Sequence, residues 1–491
     1  MPGEDILKER KRKLKELEKN SIDPYPHKFE KKHDANDILN KYKDLKKEEK
    51  TNDKVSVAGR ITRLRIMGRA LFVDLQDQSG KIQIYIKSDE VGEEAYNIFV
   101  KLIDLGDIIG INGIVFRTKT NELSIWAEKY ILLAKSIRPL PEKWHGLQDV
   151  EIRYRQRYLD LISNHEVKSV FLKRALVINA IREFLNKNGF IEVEVPILQP
   201  LYGGAKAKPF ETHINAWNMK MYLSISPELY LKRLLVGGFE KVYTIARNFR
   251  NEGADKTHNP EFTMLECYWA YANYEDMMKL AENMVDYVLK KTHNGKIVDY
   301  QGEKMHFKKP WKKLTMLDAI KKYTNIDIGR LKDNEIKEFM INNNVEYKGD
   351  YITGLAIERI FDKLVSDKLI QPVHIIDYPI ETTPLCKPKK GNSHIIERFE
   401  SYVNGVELFN AYSELNNPIL QRELLSEQAE QKTEFEESHP MDEDFVTAIE
   451  HGMPPAGGLG LGIDRLIMIL TNSANIRDVI LFPTMKPEKK D

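Results

Sequence analysis

Asn404-Gly405, set between the apolar-rich flanks ERFESYV and VELFNAY, constrains the fold of this chain more than any other short segment. Asn and Gly both tolerate the left-handed backbone of a two-residue hairpin loop. The pair therefore predicts two antiparallel strands joined by a tight turn. Pairing across that turn sets Glu407 opposite Tyr402, on the face of Glu400. The two glutamates become diagonal neighbours, roughly 7–8 Å apart at the backbone. Carboxylates so placed can hold Mg2+ against substrate phosphates, although two solvent-facing glutamates fit the same pattern. Strict alternation leaves Asn410, Tyr412 and Glu414 on the opposite face from Glu407.

A second hairpin is expected in VYTIARNFRNE and FTMLECY, joined by the polar loop 251–259. Period two puts Arg250 with Glu252 on the first strand, and Phe262, Met264, Glu266 and Tyr268 on one face of the second. Pairing gathers Arg250, Glu252, Phe262 and Glu266 on one surface. The arginine fork suits a phosphate and the aromatic ring offers a stacking face for a base. A surface hairpin laced by ion pairs is the alternative. A third segment, AGGLGLGIDRL (456–466), is a glycine-rich strand running into an apolar helix. Glycines let backbone approach a ligand closely, and Arg465 near the helix start is within reach of a phosphate. Tight packing alone also explains such a strand.

The chain splits into four stretches. Residues 1–53 are an N-terminal helical extension whose charged helix, 5–19, carries a thin stripe of Ile6, Leu7, Leu14 and Leu17; it reads either as a solvated helix or as a basic arm for RNA phosphates. Residues 54–137 alternate in short strands (VSVAGRI, LFVDLQD, KIQIYIK) and predict a small closed β barrel. A Pro-punctuated link covers 138–153. The remainder, 154–491, mixes strands and helices without βαβ alternation and reads as α+β. Its first long helix, 167–187, presents Val170, Val177, Ile181, Phe184 and Leu185 near one side, stops at Gly189, and is followed by a strand, FIEVEVP.

Seventy-five basic and 74 acidic residues give a net charge of +1, so nucleic-acid binding must use local patches. No apolar run approaches the roughly 18 residues of a membrane span, and no signal core opens the chain. With two cysteines, Cys267 and Cys386, at no metal-ligand spacing, the expected setting is the reducing cytoplasm. The chain has no Walker-A loop and no dinucleotide GxGxxG, so any ATP site follows another design.

Taken together and in order, GFIEVEVP, FRNE with its returning strand, and GLGIDR resemble the three signature motifs of class II aminoacyl-tRNA synthetases. PYPHKF, LPEKWHGLQD, RYRQRYLDL, SPELYLKRLLVGGFEKVY, SELN and ILFPTMKP resemble the lysine-specific members. The resemblance implies an antiparallel sheet flanked by helices, an N-terminal OB-fold barrel, a homodimer, and ATP-dependent ligation of lysine to tRNA(Lys) with Mg2+. It implies that Arg250 grips the α-phosphate and Arg465 the γ-phosphate, with Glu252, His258 and Asn259 near the nucleotide and Phe262 stacked on adenine. It matches Glu400 and Glu407 to the Mg2+ ligands. Gly204, Glu228 and Glu266 match positions that hold the α-amino group of lysine. Tyr268 and Glu414 match those facing its ε-ammonium, and Asn410 and Tyr412 line the same pocket. On the barrel, Arg65, Phe72, Gln83 and Glu122 match anticodon-binding positions. For Glu407, Asn410, Tyr412 and Glu414 to share one site, the strand needs an extra residue, which predicts a bulge or sharp twist at Leu408–Phe409. An acid-walled pocket favours a dicationic amino acid over aspartate or asparagine, because a neutral side chain leaves Glu414 without a partner.

Overall fold

The computed structural model describes residues 2–141, 147–293, 295–430 and 440–488. Glu142–Gly146, inside both the expected link and the LPEKWHGLQD signature, lie outside them. The chain forms two compact units, Met1–Leu147 and Gln148–Asp491.

In the first unit, β1 (Lys50–Met67), β2 (Ala70–Gln76), β3 (Lys81–Lys87), β4 (Ile108–Arg117) and β5 (Leu123–Ala134) close into a barrel in the order β1-β2-β3-β5-β4. Closure leaves no sheet edge to be capped. Alternation dictates the two faces. Leu71, Val73 and Leu75 of β2 and Ile82, Ile84 and Ile86 of β3 point inward and are buried, while Phe72 and Tyr85 stay half-exposed outside. At Gly113 a Cβ would sit 2.1 Å from the Trp126 carbonyl oxygen, so only glycine permits the β4–β5 approach there.

The N-terminal helix, α1 (Pro2–Lys19), is docked along one side and exposed along the other. Arg10 is buried and donates to the carbonyls of Leu105 (2.8 Å), Ser136 (2.9 Å) and Arg138 (3.1 Å). Lys13 lies 2.7 Å from Asp104, and Leu17 is fully buried in the barrel core. One guanidinium satisfying three carbonyls ties the helix down, a bond pattern that local periodicity does not encode.

The second unit is built on a nine-stranded sheet. Its main path runs β9-β10-β11-β12-β13-β8-β7-β6, with β6 (Ile191–Glu192), β7 (Lys241–Phe249), β8 (Glu261–Ala270), β9 (Lys312–Thr315), β10 (Val373–Pro379), β11 (Asn392–Val403), β12 (Val406–Ser413) and β13 (Ala456–Gly462). The central pairs are antiparallel, and the two outermost pairs are parallel. Helices α2 (His165–Lys187), α4 (Tyr274–Thr292) and α6 (Ile463–Thr471) cover one face, burying Leu265, Cys267, Phe399, Phe409, Ala411, Leu459 and Leu461. A shorter helix, α3 (Glu228–Val236), and α5 (Glu443–Glu450) pack with Val242, Tyr268 and Ala270. Val177, Ile181 and Leu185 of α2 are fully buried, and Gly189 follows at φ 81°.

Two expectations need correction here. FIEVEVP contributes only Ile191–Glu192 to the ladder; Val193 makes one further bond to the Tyr243 carbonyl, and the chain then leaves toward Pro196, which has no N–H to offer. The strand before the polar loop ends at Phe249, so Arg250 lies just past it, bonded through its amide to the Pro260 carbonyl, and Glu252 lies in the loop.

Candidate active site

Register brings the site together. One row across the sheet reads Glu266, Gly460, Asn410, Glu400 from β8 to β11. Two residues along, the next row reads Tyr268, Gly458, Tyr412, Arg398. Their odd-numbered neighbours face the core, so period two turns these side chains to the other face. The glycines of β13 leave a lane without side chains between the polar groups of β8 and those of β12. A Cβ on Gly458 would lie 1.9 Å from Glu414 Oε1 and 2.6 Å from the Tyr268 ring.

The hairpin behaves as the Asn-Gly pair requires, with φ 50° at Asn404 and 73° at Gly405. Glu407 pairs with Tyr402, and then Phe409 pairs with Ser401, so Leu408 is the extra residue of a bulge. Leu408 and Phe409 are consecutively buried, and alternation restarts with Asn410 and Tyr412 on the face of Glu407. The bulge expected at Leu408–Phe409 is present, and it reconciles Glu407 with the residues beyond it.

A cavity of about 710 Å³ is lined by Arg250, Glu252, His258, Asn259, Phe262, Glu407, Asn410 and Arg465, among others. That volume suits a nucleotide-sized ligand. Arg250 lies 5.1 Å from the Phe262 ring centroid, and its guanidinium contacts with the Ile225 carbonyl are long, 3.4 Å. Arg465 donates to the Glu407 carbonyl (2.9 Å) and Oε2 (3.1 Å), and lies 3.0 Å from His258 Nε2. Asp255 holds the other His258 nitrogen at 2.8 Å. Glu252 accepts from the Lys208 amide at 3.1 Å. Asn259 Oδ1 is buried without a hydrogen-bond donor among the described residues.

The acidic pocket is buried. Gly204, at φ 84°, approaches so closely that a Cβ would sit 3.0 Å from Glu228 Cβ and Ser226 Oγ. Glu228 accepts from Lys232 (2.6 Å) and from the Tyr412 hydroxyl (2.5 Å). Glu266 accepts from Ser226 Oγ (2.8 Å) and the Tyr268 hydroxyl (3.1 Å). Neither Glu414 oxygen accepts a hydrogen bond from the described residues. The Lys232 ammonium, 2.5 Å from its Oε2, is its ion-pair partner. Burial pushes the Glu266 carboxyl up to about 8, with Glu228 adding repulsion and Ser226 and Tyr268 opposing. Burial also lifts Glu414 to about 8, against the pull of Lys232. Lys232 itself is held above the ordinary lysine range: burial opposes its charge, and Glu228 and Glu414 outweigh burial. The directions agree once counted together, since Glu228 and Glu414 share one ammonium while Glu266 adds its repulsion to both.

Glu400 accepts from the hydroxyls of Tyr378 (2.8 Å) and Tyr402 (2.6 Å) and from Arg398. Burial raises its pKa, Arg398 opposes, and Glu407 adds repulsion. No group of three or more His, Cys, Asp or Glu suited to a metal occurs among the described residues. Two carboxylates are a donor set that would suit a cation arriving with phosphates, since Mg2+ commonly takes one or two protein carboxylates there.

On the barrel, Phe72 packs on Tyr85 (4.9 Å between centroids), Tyr85 on Trp126 (4.9 Å) and Trp126 on Phe116 (5.3 Å). Arg65 lies 5.9 Å from the Phe72 ring and Lys50 4.1 Å from Trp126. Gln83 accepts from Ser124 at 3.0 Å, and Glu122 is exposed just before β5. Tyr85, Phe116 and Trp126 escaped the sequence reading, although KIQIYIK puts Tyr85 on the outward parity of Gln83. Lys232 and Ser226 also escaped it. Their signal was the i, i+4 pair Glu228–Lys232 and a serine two residues before that helix begins.

The family model of class II tRNA synthetases (D, K and N) matches residues 149–486, and that of an OB-fold nucleic acid binding domain matches 55–133. The chain is 51% identical over 490 residues to a lysine–tRNA ligase of Clostridium botulinum, covering 99% of this chain and 96% of that one. It is 51% identical to a lysine–tRNA ligase of Carboxydothermus hydrogenoformans, covering 98% of each. A Clostridium perfringens lysine–tRNA ligase is 50% identical over 98% of this chain and 96% of its own length.

Proposed function

Because the chain belongs to the class II tRNA synthetases of the aspartate, lysine and asparagine group, we propose a role in lysine–tRNA ligation for each side chain of its site. The chain activates lysine with ATP and transfers it to tRNA. The observation that carries the assignment is the buried cluster of Glu228, Glu266 and Glu414, with the single ammonium of Lys232 against two of them. Buried carboxylates in excess of their cations are costly, and the two ammonium groups of lysine supply the missing charge. Gly204, Glu228 and Glu266 receive the α-ammonium. Tyr268 and Glu414 receive the ε-ammonium, and Asn410 and Tyr412 wall the pocket.

The nucleotide lies in the large cavity, with adenine on Phe262 beside Glu252, His258 and Asn259. Arg250 takes the α-phosphate and Arg465 the γ-phosphate. The lysine carboxylate attacks the α-phosphorus, the bond to the bridging oxygen breaks, and pyrophosphate leaves. The terminal tRNA hydroxyl then attacks the carbonyl of the adenylate and AMP departs. The protein positions reactants and neutralises developing charge, which is where catalysis of phosphoryl transfer resides. Glu400 and Glu407 are the residues that would hold Mg2+, which when bound would neutralise phosphate charge.

Arg65, Phe72, Gln83 and Glu122 contact the anticodon of tRNA(Lys). The exposed Leu172 and Leu176 of α2, with Ile191 on β6, form the interface of a homodimer. No helix among the described residues is long and apolar enough to cross a membrane, and Cys267 and Cys386 are both free and buried, which supports a cytoplasmic setting. ATP–pyrophosphate exchange with each standard amino acid tests the assignment. Exchange with lysine alone is expected; exchange dependent on aspartate or asparagine refutes it. A monomeric sedimentation mass in fully active enzyme refutes the dimer.

A further inference from the structure

Lys232 is a lysine buried inside a pocket assigned to lysine. Its side chain is 0% exposed, with Nζ 2.6 Å from Glu228 and 2.5 Å from Glu414. These carboxylates are the ones assigned to the two ends of the substrate. It also lies near the rings of Tyr412 (5.4 Å) and Phe445 (6.0 Å), and Tyr412 donates to the same Glu228 oxygen. The titratable groups facing it are Glu228 on its own helix, Tyr412 and Glu414 from β12 and its continuation, and Cys386, which pairs with Glu414. Glu266 and Tyr268 from β8 add to the field at Glu414 and Glu228. The register of the sheet requires none of this: a leucine at 232 would satisfy the helix equally well.

The charges fit a count. Glu228, Glu266 and Glu414 are three acids and Lys232 is one fixed cation; Arg250, which also acts on Glu266, is assigned to the α-phosphate and stands outside the count. The deficit of two matches the α- and ε-ammonium groups of one lysine, while the substrate carboxylate is consumed at the phosphate. An amino acid with one ammonium leaves a buried acid unmatched. Without Lys232 even the correct substrate falls short by one. We propose that Lys232 is a specificity-determining positioning residue, a built-in third cation that sets the charge of the pocket to complement a dicationic amino acid and spans the carboxylates that receive its two ends. This rests on the pocket assignment made under the proposed function. Glu266 and Glu414, both raised to about 8, agree with a count in which acids outnumber the fixed cation.

Three variants in the full chain decide it, read by lysine-dependent ATP–pyrophosphate exchange across pH, with the KM for ATP as control. Glu414→Gln should raise the lysine KM on the order of 100-fold. Lys232→Met should raise it roughly tenfold, leave the ATP KM nearly unchanged, and move the pH at which lysine KM improves upward, because the remaining acids lose their cation. Lys232→Met/Glu414→Gln restores the balance of two acids against two ammoniums, so it should bind lysine about tenfold better than Glu414→Gln alone. A purely structural lysine predicts the reverse, a double variant weaker than either single one, and that result overturns the proposal. An unshifted pH profile in Lys232→Met does the same. If Lys232→Met does not fold, the double variant against Glu414→Gln still decides, since it leaves no lone buried charge between those two positions. If Glu414→Gln itself leaves lysine KM unchanged, the pocket assignment falls, and the charge count with it; if it weakens lysine and the double variant does not recover, only the role of Lys232 falls.

Discussion

The pocket between β8 and β12 and the outer face of the barrel are both assigned to recognition, yet they are built in opposite ways. The pocket is buried and consists of acids held by hydroxyls and one ammonium, with Glu414 and Lys232 at 0% exposure. The barrel face is half-exposed and consists of a run of aromatic rings, Phe72–Tyr85–Trp126–Phe116, edged by Arg65 and Lys50. A buried charge is worth much when matched and costs much when not, so the pocket can reject a wrong amino acid steeply. Stacking is gained piecemeal and tolerates variation, because every base has a flat face. The contrast teaches where each kind of selectivity is carried: small-ligand identity by desolvated charge, polymer engagement by shared apolar surface.

The comparison breaks most sharply at Glu414. Glu414→Gln should cost on the order of 100-fold in lysine KM, from the loss of a charge-assisted contact of about 1.5–3 kcal/mol, and leave tRNA affinity intact. Equal losses in steady-state lysine activation and in tRNA binding would falsify the division. Next comes the glycine lane. Gly458→Ala puts a methyl 1.9 Å from Glu414 Oε1, and overpacking of about 1–3 kcal/mol should slow lysine activation some 30-fold with tRNA binding unaffected. Full activity in this variant means that the acid swings clear and the lane is not tight. On the barrel, Phe72→Ala should weaken tRNA charging about tenfold and spare adenylate formation. A loss of thermal stability with both assays falling together assigns Phe72 to packing instead.

The smallest effect is in pH. Glu266 and Glu414, both up at about 8, gain protons below that value, and an ammonium prefers them ionised. Lysine KM should therefore rise a few-fold as pH falls from about 8 to about 7.5, while the tRNA KM stays flat over the same interval. The sign follows from the raised pKa: protons must leave as lysine enters, so acid opposes binding. A flat lysine KM across that window removes the surplus-acid picture.

Much of the site was legible because it rests on local rules. Asn404-Gly405 sets a turn, period two sets faces, and the mismatch between Glu407 and Asn410 announced the bulge that the Leu408 register shift provides. FIEVEVP was less legible, since its apolar alternation looks like a full strand, yet neighbours accept only Ile191 and Glu192 into the ladder. Glu252 slipped off its strand for a related reason: where the ladder stops depends on the partner strand, and here pairing ends at Phe249 and Glu261.

By itself, the sequence determined the order of motifs, the closed barrel and its inward residues, the hairpin, and the acids that a cationic substrate would need. These depend on residue type and short-range period, which every strand carries with it. Only the tertiary structure decided that Arg10 would dock the N-terminal helix by three carbonyls, that four aromatic rings would meet on the barrel, and that Lys232 would sit fully buried between Glu228 and Glu414. The i, i+4 spacing of Glu228 and Lys232 reads on any helix as a surface ion pair. What changes its meaning is the arrival of Glu414 from a distant strand and the removal of water, since the charge of a side chain is written in the sequence and its surroundings are not.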